Sequence, residues 1–254
     1  MDLNKLLQVA TFAGKIMLES GGEIYRVEET ICRICNSFGV DQADSFVTPT
    51  GIMVSIAYKN EVSTLIKRVT SRGVDLNKID KINALSRKIQ STTINLDEFN
   101  NELLKISKGE RYSELSTLAW SAISAGCFSI LFGGNYKDFI VATLIGLVIK
   151  LVSNTCQKLT INEFFINCLC GGLSALLAMI FIKINFGNSL DKTIIGAVML
   201  LVPGLIITNA IRDTIAGDFL AGITKAAEAF LVAVSIAVGT GAVLSIFINK
   251  FGGL

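Results

Sequence analysis

Histidine is absent from this 254-residue sequence. That removes Ser-His-Asp and Cys-His catalysis, His-ligated metals and imidazole proton relays. Six cysteines are present, yet only Cys32 and Cys35 form a close pair outside the apolar runs. Cys127, Cys156, Cys168 and Cys170 lie in or beside apolar stretches, which is not the disulfide framework of a small secreted domain. A reduced, cytosol-facing N-terminal part is the simpler expectation. No phosphate-binding loop of the GxxxxGKS/T kind appears, and no cofactor or metal site is expected. The net charge of +2 gives no case for a nucleic-acid surface. The N-terminus does not read as a signal peptide: Leu3, Leu6, Leu7, Ala10, Ala13 and Met17 recur at helical spacing with Lys5, Gln8 and Lys15 between them. No internal repeat or low-complexity linker is visible.

What charge there is lies at one end. Residues 1–114 carry 15 Lys/Arg and 15 Asp/Glu, against 8 and 6 in residues 115–254. The expected fold class is therefore a membrane α-helical bundle of about five transmembrane helices with an N-terminal soluble α+β domain. The expected boundaries are 1–114 for the soluble cytoplasmic domain and 115–250 for the transmembrane domain. In the charged part a first helix stops at Gly21-Gly22, and a second spans Glu23 to Phe38 with Gly39 closing it. Ser45 to Val69 is rich in β-formers around a Lys59-Asn60 turn and reads as a hairpin or meander. Two further helices begin near Asp75 and Asp97.

In the apolar part, runs near the roughly 20 residues a spanning helix needs occur at 115–132, 139–153, 164–182, 193–211 and 220–248. Lys105, Lys108 and Arg111 precede the first run and favour a cytoplasmic N-terminus in a multi-pass plasma-membrane protein. Lys183, Lys192 and Lys250 on the expected outer side weigh against this orientation.

The polar residues of the apolar part concentrate in VPGLIITNAIRDTIAGDFLAGITKAAE, residues 202–228. Pro203-Gly204 breaks or kinks a helix, because proline lacks the donor and glycine weakens the rest. Asn209, Arg212 and Asp213 share one helical face, and Asp218, Lys225 and Glu228 another. Gly204, Gly217 and Gly222 permit close backbone approach. Two readings stay open: a broken intramembrane helix of the kind that builds transporter substrate sites, or a short solvated loop at 209–219. Glu228, followed by a long apolar run, lies either inside the bundle or at the headgroup level.

The segment PGLIITNAIRDTIAGDFLAGITKAAEA resembles the membrane signature of the threonine/serine exporter family. GKIMLESGGEIYRVEETICRICNSFG, followed by FVTPTGI, resembles that family's soluble signature. Together they cover nearly the whole chain. The resemblance implies a secondary transporter component that exports small amino or carboxylic acids, threonine and serine or a dicarboxylate such as succinate. Full-length members continue into a second hydrophobic domain, so the sequence resembles the larger component of the split two-component form. A small hydrophobic membrane subunit is then the implied partner, beside membrane lipid and the small-molecule substrate; a homo-oligomer is left open. Carried onto this sequence, the implied transport residues are Pro203, Gly204, Asn209, Arg212, Asp213, Asp218 and Glu228. In the soluble motif they are Glu19, Gly21, Gly22, Arg26, Glu28 and Glu29.

Arg26 reads as a structural partner of Glu19 or Glu29, or as an anion contact beside the Gly21-Gly22 turn. Cys32-Arg-Ile-Cys35, with no second pair nearby, reads as core packing, and Thr48-Pro49-Thr50 as a strand-end turn. In the transport reading Arg212 or Asn209 holds a substrate carboxylate, and Asp213, Asp218 or Glu228 takes up a proton. No catalytic residue is expected; the alternative is a membrane-anchored enzyme with hydrolase-like chemistry in the soluble domain.

Overall fold

The computed structural model describes residues 2–91, 94–109 and 112–251. Arg111 lies outside the described residues, as do the side chains of Ser91, Lys250 and Phe251. The chain is mostly helical, with one small sheet, and divides into two compact units. The first is Met1–Glu110 with Leu205–Ala227; the second is Arg111–Gly204 with Glu228–Leu254.

In the first unit α1 (Leu3–Glu19) is capped by Asp2, whose carboxylate accepts the Lys5 N–H at 3.1 Å. It ends where Gly21 takes φ +86° and the Gly22 N–H reaches back to Met17 O at 3.0 Å, a closure that favours glycine. Next come α2 (Ile24–Ser37) and the strands β1 (Gln42–Thr48), β2 (Gly51–Tyr58) and β3 (Glu61–Arg68). The strands form an antiparallel meander in the order β1-β2-β3. Its second turn is Lys59-Asn60, both with positive φ, the conformation that matches strand twist in a two-residue hairpin. Helices α3 (Leu76–Ser91) and α4 (Leu96–Ser107) complete this part, α4 opening on an Asn95–Glu98 capping box.

The period of two along β2 sends Ile52, Val54 and Ile56 inward, where they meet Leu6, Met17, Ile31, Ile82 and Phe99. Cys35 lies in this core, and burial, with a lesser contribution from Cys32, pushes its thiol up to about 12. It stays protonated, as a packing residue does.

The second unit holds α5 (Glu114–Leu131), α6 (Tyr136–Lys158), α7 (Glu163–Lys183) and α8 (Leu190–Val198). α10 (Phe219–Phe251) begins in the first unit and supplies its residues from Glu228 onward to the second. Among the described residues four helices are long and apolar enough to cross a membrane: α5, α6, α7 and α10 over Phe219–Asn249. Asp138, fully buried near the start of α6, accepts the N–H groups of Asn188 and Ser189 at 2.8 Å on one oxygen. Its other oxygen accepts Asn135 N–H at 3.0 Å. One carboxylate thus ties α6 to the α7–α8 loop.

The expected span at 193–211 is corrected: it is not one helix. α8 stops at Val198, Leu200 and Leu201 tighten into three-residue turns, and α9 (Gly204–Ile215) begins after Pro203. Proline has no N–H for the preceding turn and disfavours a helical conformation in the residue before it. The expected second span, 139–153, is longer in the structure, because the Asn135–Asp138 capping box starts α6 earlier and the helix continues to Lys158.

Candidate functional site

Three segments of the first unit meet at one polar cluster: the α1–α2 turn, α9 and the first turns of α10. In α9, Asn209 and Asp213 are one turn apart and face inward, and both are buried. The Asn209 amide donates to Gly21 O at 2.8 Å. Asp213 accepts the Ile24 N–H at 2.9 Å on one oxygen and the Lys225 ammonium at 2.7 Å on the other. Lys225 also approaches Gly22 O at 3.5 Å. The Ile24 N–H is an orphan donor at the start of α2, so the Asp213 carboxylate caps that helix from a distant part of the chain.

Beside this pair Glu23 accepts the Arg212 guanidinium at 2.6 Å and the Arg26 guanidinium at 3.5 Å. Glu23 is buried, whereas the Arg212 side chain is 59% exposed. Burial raises the Glu23 pKa, but its backbone N–H and the two guanidinium groups outweigh that and hold it below the usual range.

The hairpin joining α9 to α10 is equally defined. Gly217 takes φ +97°, and the Asp218 N–H returns to Asp213 O at 2.8 Å. A Cβ on Gly222 would collide with the Thr214 hydroxyl, so α9 and α10 cross in near-backbone contact there. Asp218 is pushed above the usual carboxylate range by burial and by Asp213, with Lys225 offsetting part of this.

Glu28, on α2, accepts the Val47 N–H at 2.7 Å, and its carbonyl accepts the Ser45 hydroxyl at 3.2 Å, fixing β1 to the helix. Burial raises its pKa; the Val47 N–H opposes this, and the Asp218 and Asp213 charges add to the rise. Folded-state Glu28 therefore holds its proton more tightly than unfolded Glu28. The stability this contributes is complete below the ordinary glutamate pKa and is lost as pH rises through the raised value. Glu28→Gln, which keeps an acceptor for Val47, is expected to melt higher than the parent at about pH 8 and level with it at about pH 4. Thermal melting of the two proteins at both pH values checks this.

The sequence-derived residues thus divide. Asn209, Arg212, Asp213, Gly21, Gly22 and Arg26 come together, with Asp218 and Glu28 adjoining. Pro203, Gly204 and Glu228 belong to the second unit. Arg26 bonds Glu23 rather than the expected Glu19 or Glu29. Glu19 pairs with Lys15 at 3.5 Å and Glu29 with Arg33, each one helical turn away, leaving Glu23 as the acidic neighbour at the turn. Of the two readings left open for 209–219, the solvated loop does not hold: α9 runs to Ile215 because its polar face is covered, and only a three-residue turn follows.

Two central residues escaped the sequence-derived set. Glu23 read as an ordinary acidic helix start, and Lys225 as one member of an α10 face. A single Lys in an otherwise apolar run is itself a signal that a buried carboxylate awaits it.

A family model described as "Putative threonine/serine exporter" matches residues 8–247. Among curated proteins, "Probable succinate transporter subunit YjjP" of Klebsiella aerogenes is 19% identical over 224 residues, covering 88% of this chain and 86% of that protein. Its Escherichia coli strain K12 counterpart is 19% identical over 235 residues, covering 92% and 91%. "Threonine/serine exporter" of Corynebacterium glutamicum is 21% identical over 245 residues, which is 93% of this chain but 50% of that protein. No solved structure matches.

Proposed function

Since the chain belongs to the threonine/serine exporter family, we propose that it is the larger component of a two-component secondary transporter exporting a small amino or carboxylic acid. Threonine, serine and succinate are the candidate substrates, in line with the names of its relatives. The observation that carries this reading is the closure of the two long motifs on each other through Asp213, Ile24 and Lys225. The α1–α2 turn acts as a cytoplasmic gate on the helix that follows Pro203, a placement that requires the interrupted segment 190–203 to cross the membrane as well as α5, α6 and α7. The word subunit in the names of the Klebsiella and Escherichia relatives, covered to 86% and 91% of their length, supports a separate membrane partner. Lys105 and Lys108 ahead of α5 support a cytoplasmic N-terminal domain, 1–114 in the sequence, before the membrane domain at 115–250.

Roles follow from occupancy. Asn209 and Asp213 are engaged in the clasp, so they hold the gate. Arg212 keeps exposed N–H donors beyond its bond to Glu23, and its planar fork suits a substrate carboxylate. Asp218, with its raised pKa, is placed to carry a proton, and Glu228 is a separate candidate for the same task. The hydrolase-like alternative is disfavoured because Glu23 and Asp213 are already held by cations and N–H groups.

The test is efflux of labelled threonine, serine and succinate from cells expressing the chain with and without a small membrane partner. One of the three should leave faster than from control cells. Arg212→Lys, which keeps the charge and loses the fork, should slow that efflux about tenfold. No efflux of any of them in either condition would remove the proposal.

A further inference from the structure

α9 and the start of α10 carry an apolar surface that the polar clasp leaves unused. With Asn209, Ala210 and Asp213 turned into the first unit, Ile207, Ile211 and Ile215 recur every four residues on the opposite face and are exposed, Ile215 by 81%. Across the Gly217 hairpin, Phe219, Leu220 and Ile223 are exposed as well. Between the two helices runs a groove of about 270 Å³, lined by Ile211, Ile215, Ile223 and the small residues at the crossing.

Length excludes one explanation. α9 has 12 residues, about 18 Å, and cannot cross a hydrocarbon core of roughly 30 Å. α10 has 33 residues, about 50 Å, so part of it extends beyond that core. Its first turns nevertheless remain apolar and exposed. A helix that enters a membrane and keeps an apolar flank outside the hydrocarbon places that flank at the interface.

We propose that α9 and the first two turns of α10 form an interfacial membrane anchor, with the acyl region of the bilayer covering Ile211, Ile215 and Ile223 and filling the groove. The occupant is lipid because the surface is continuous, on one helix, with the segment long and apolar enough to span the membrane. Arg212 borders the apolar face, as a cation does at the headgroup level of an interfacial helix. The polar clasp then works at the membrane surface, where an amphipathic helix with one face in lipid and the other in protein resists rotation. This inference rests on α10 crossing the membrane and not on any substrate.

Fluorescence depth measurement tests it. The chain has one tryptophan, so Trp120→Phe supplies a silent background in the otherwise intact chain. Ile215→Trp reports α9, and Val234→Trp, at a half-exposed position further along α10, is the control. Both are reconstituted in phosphatidylcholine vesicles carrying quenchers at shallow or deep acyl positions, with iodide as the aqueous quencher. The expected result is stronger quenching of Ile215→Trp by the shallow label and of Val234→Trp by the deep one, with iodide quenching at 215 several-fold below that of free indole. Quenching at 215 by iodide alone would overturn the proposal. So would shielding at 215 from both lipid and iodide, which would mean that protein, including a second copy, covers the face. If Val234→Trp is not quenched by lipid, the premise about α10 fails first, and that result is separable from the other two.

Discussion

Asp213→Ala is expected to cost about 3–5 kcal/mol of stability and to abolish export. Asp213 is fully buried and the Lys225 side chain is 7% exposed, so removing the carboxylate leaves an ammonium without its counter-charge away from water. The Ile24 N–H loses its acceptor in the same step. Lys225→Met alone strands the carboxylate and is expected to cost a similar amount. The pair Asp213→Asn with Lys225→Met keeps an acceptor for Ile24 and buries no charge, so most of the loss should return. Melting of the purified protein in detergent measures all three. Recovery of stability in the double variant without recovery of export would assign the ion pair a role in the transport cycle rather than in folding alone.

The second large effect belongs to the other unit. Asp138→Ala removes an acceptor that satisfies three backbone N–H groups in a fully buried position, and about 3–5 kcal/mol should be lost. Asp138→Asn retains one oxygen for Asn188 and Ser189 and gives up the charge. It should cost about half as much, since the charge-assisted bonds are weakened rather than deleted. The ratio of the two melting shifts checks that the carboxylate ties α6 to the α7–α8 loop, because a solvent-facing Asp would make both substitutions nearly silent.

Local chemistry was readable in the residues themselves. Gly21-Gly22 ended α1, Lys59-Asn60 turned the hairpin, and apolar runs marked α5, α6, α7 and α10, because each depends on neighbours within a few positions. The segment 193–211 misled for a physical reason. Hydropathy averages over a helix, and Ile207 and Ile211 carried the apolar run past the break that Pro203-Gly204 announced and hid a face committed to protein. The i, i+4 spacing placed Asn209 and Asp213 on one side of α9 but was silent about what lay opposite. Glu23 and Arg212 are 189 positions apart, and only packing brings them to 2.6 Å. Asp138 is marked locally only by the Asn135 cap; its distant partners Asn188 and Ser189 donate through backbone, which the identity of a residue does not reveal. The clasp was therefore half legible, with the motif residues visible and Lys225 and Glu23, which complete their charges, not singled out.

The central claim is that the α1–α2 turn opens and closes on α9 during export. Val74→Cys with Leu205→Cys, two residues that both border Gly21 of the α1–α2 turn and carry none of the roles above, can be bridged by a short bis-methanethiosulfonate linker and released by dithiothreitol. The parent chain treated with the same reagent controls for its own cysteines. The account predicts that the bridged protein stops exporting labelled substrate and resumes after reduction. Undiminished efflux from fully bridged protein would contradict it.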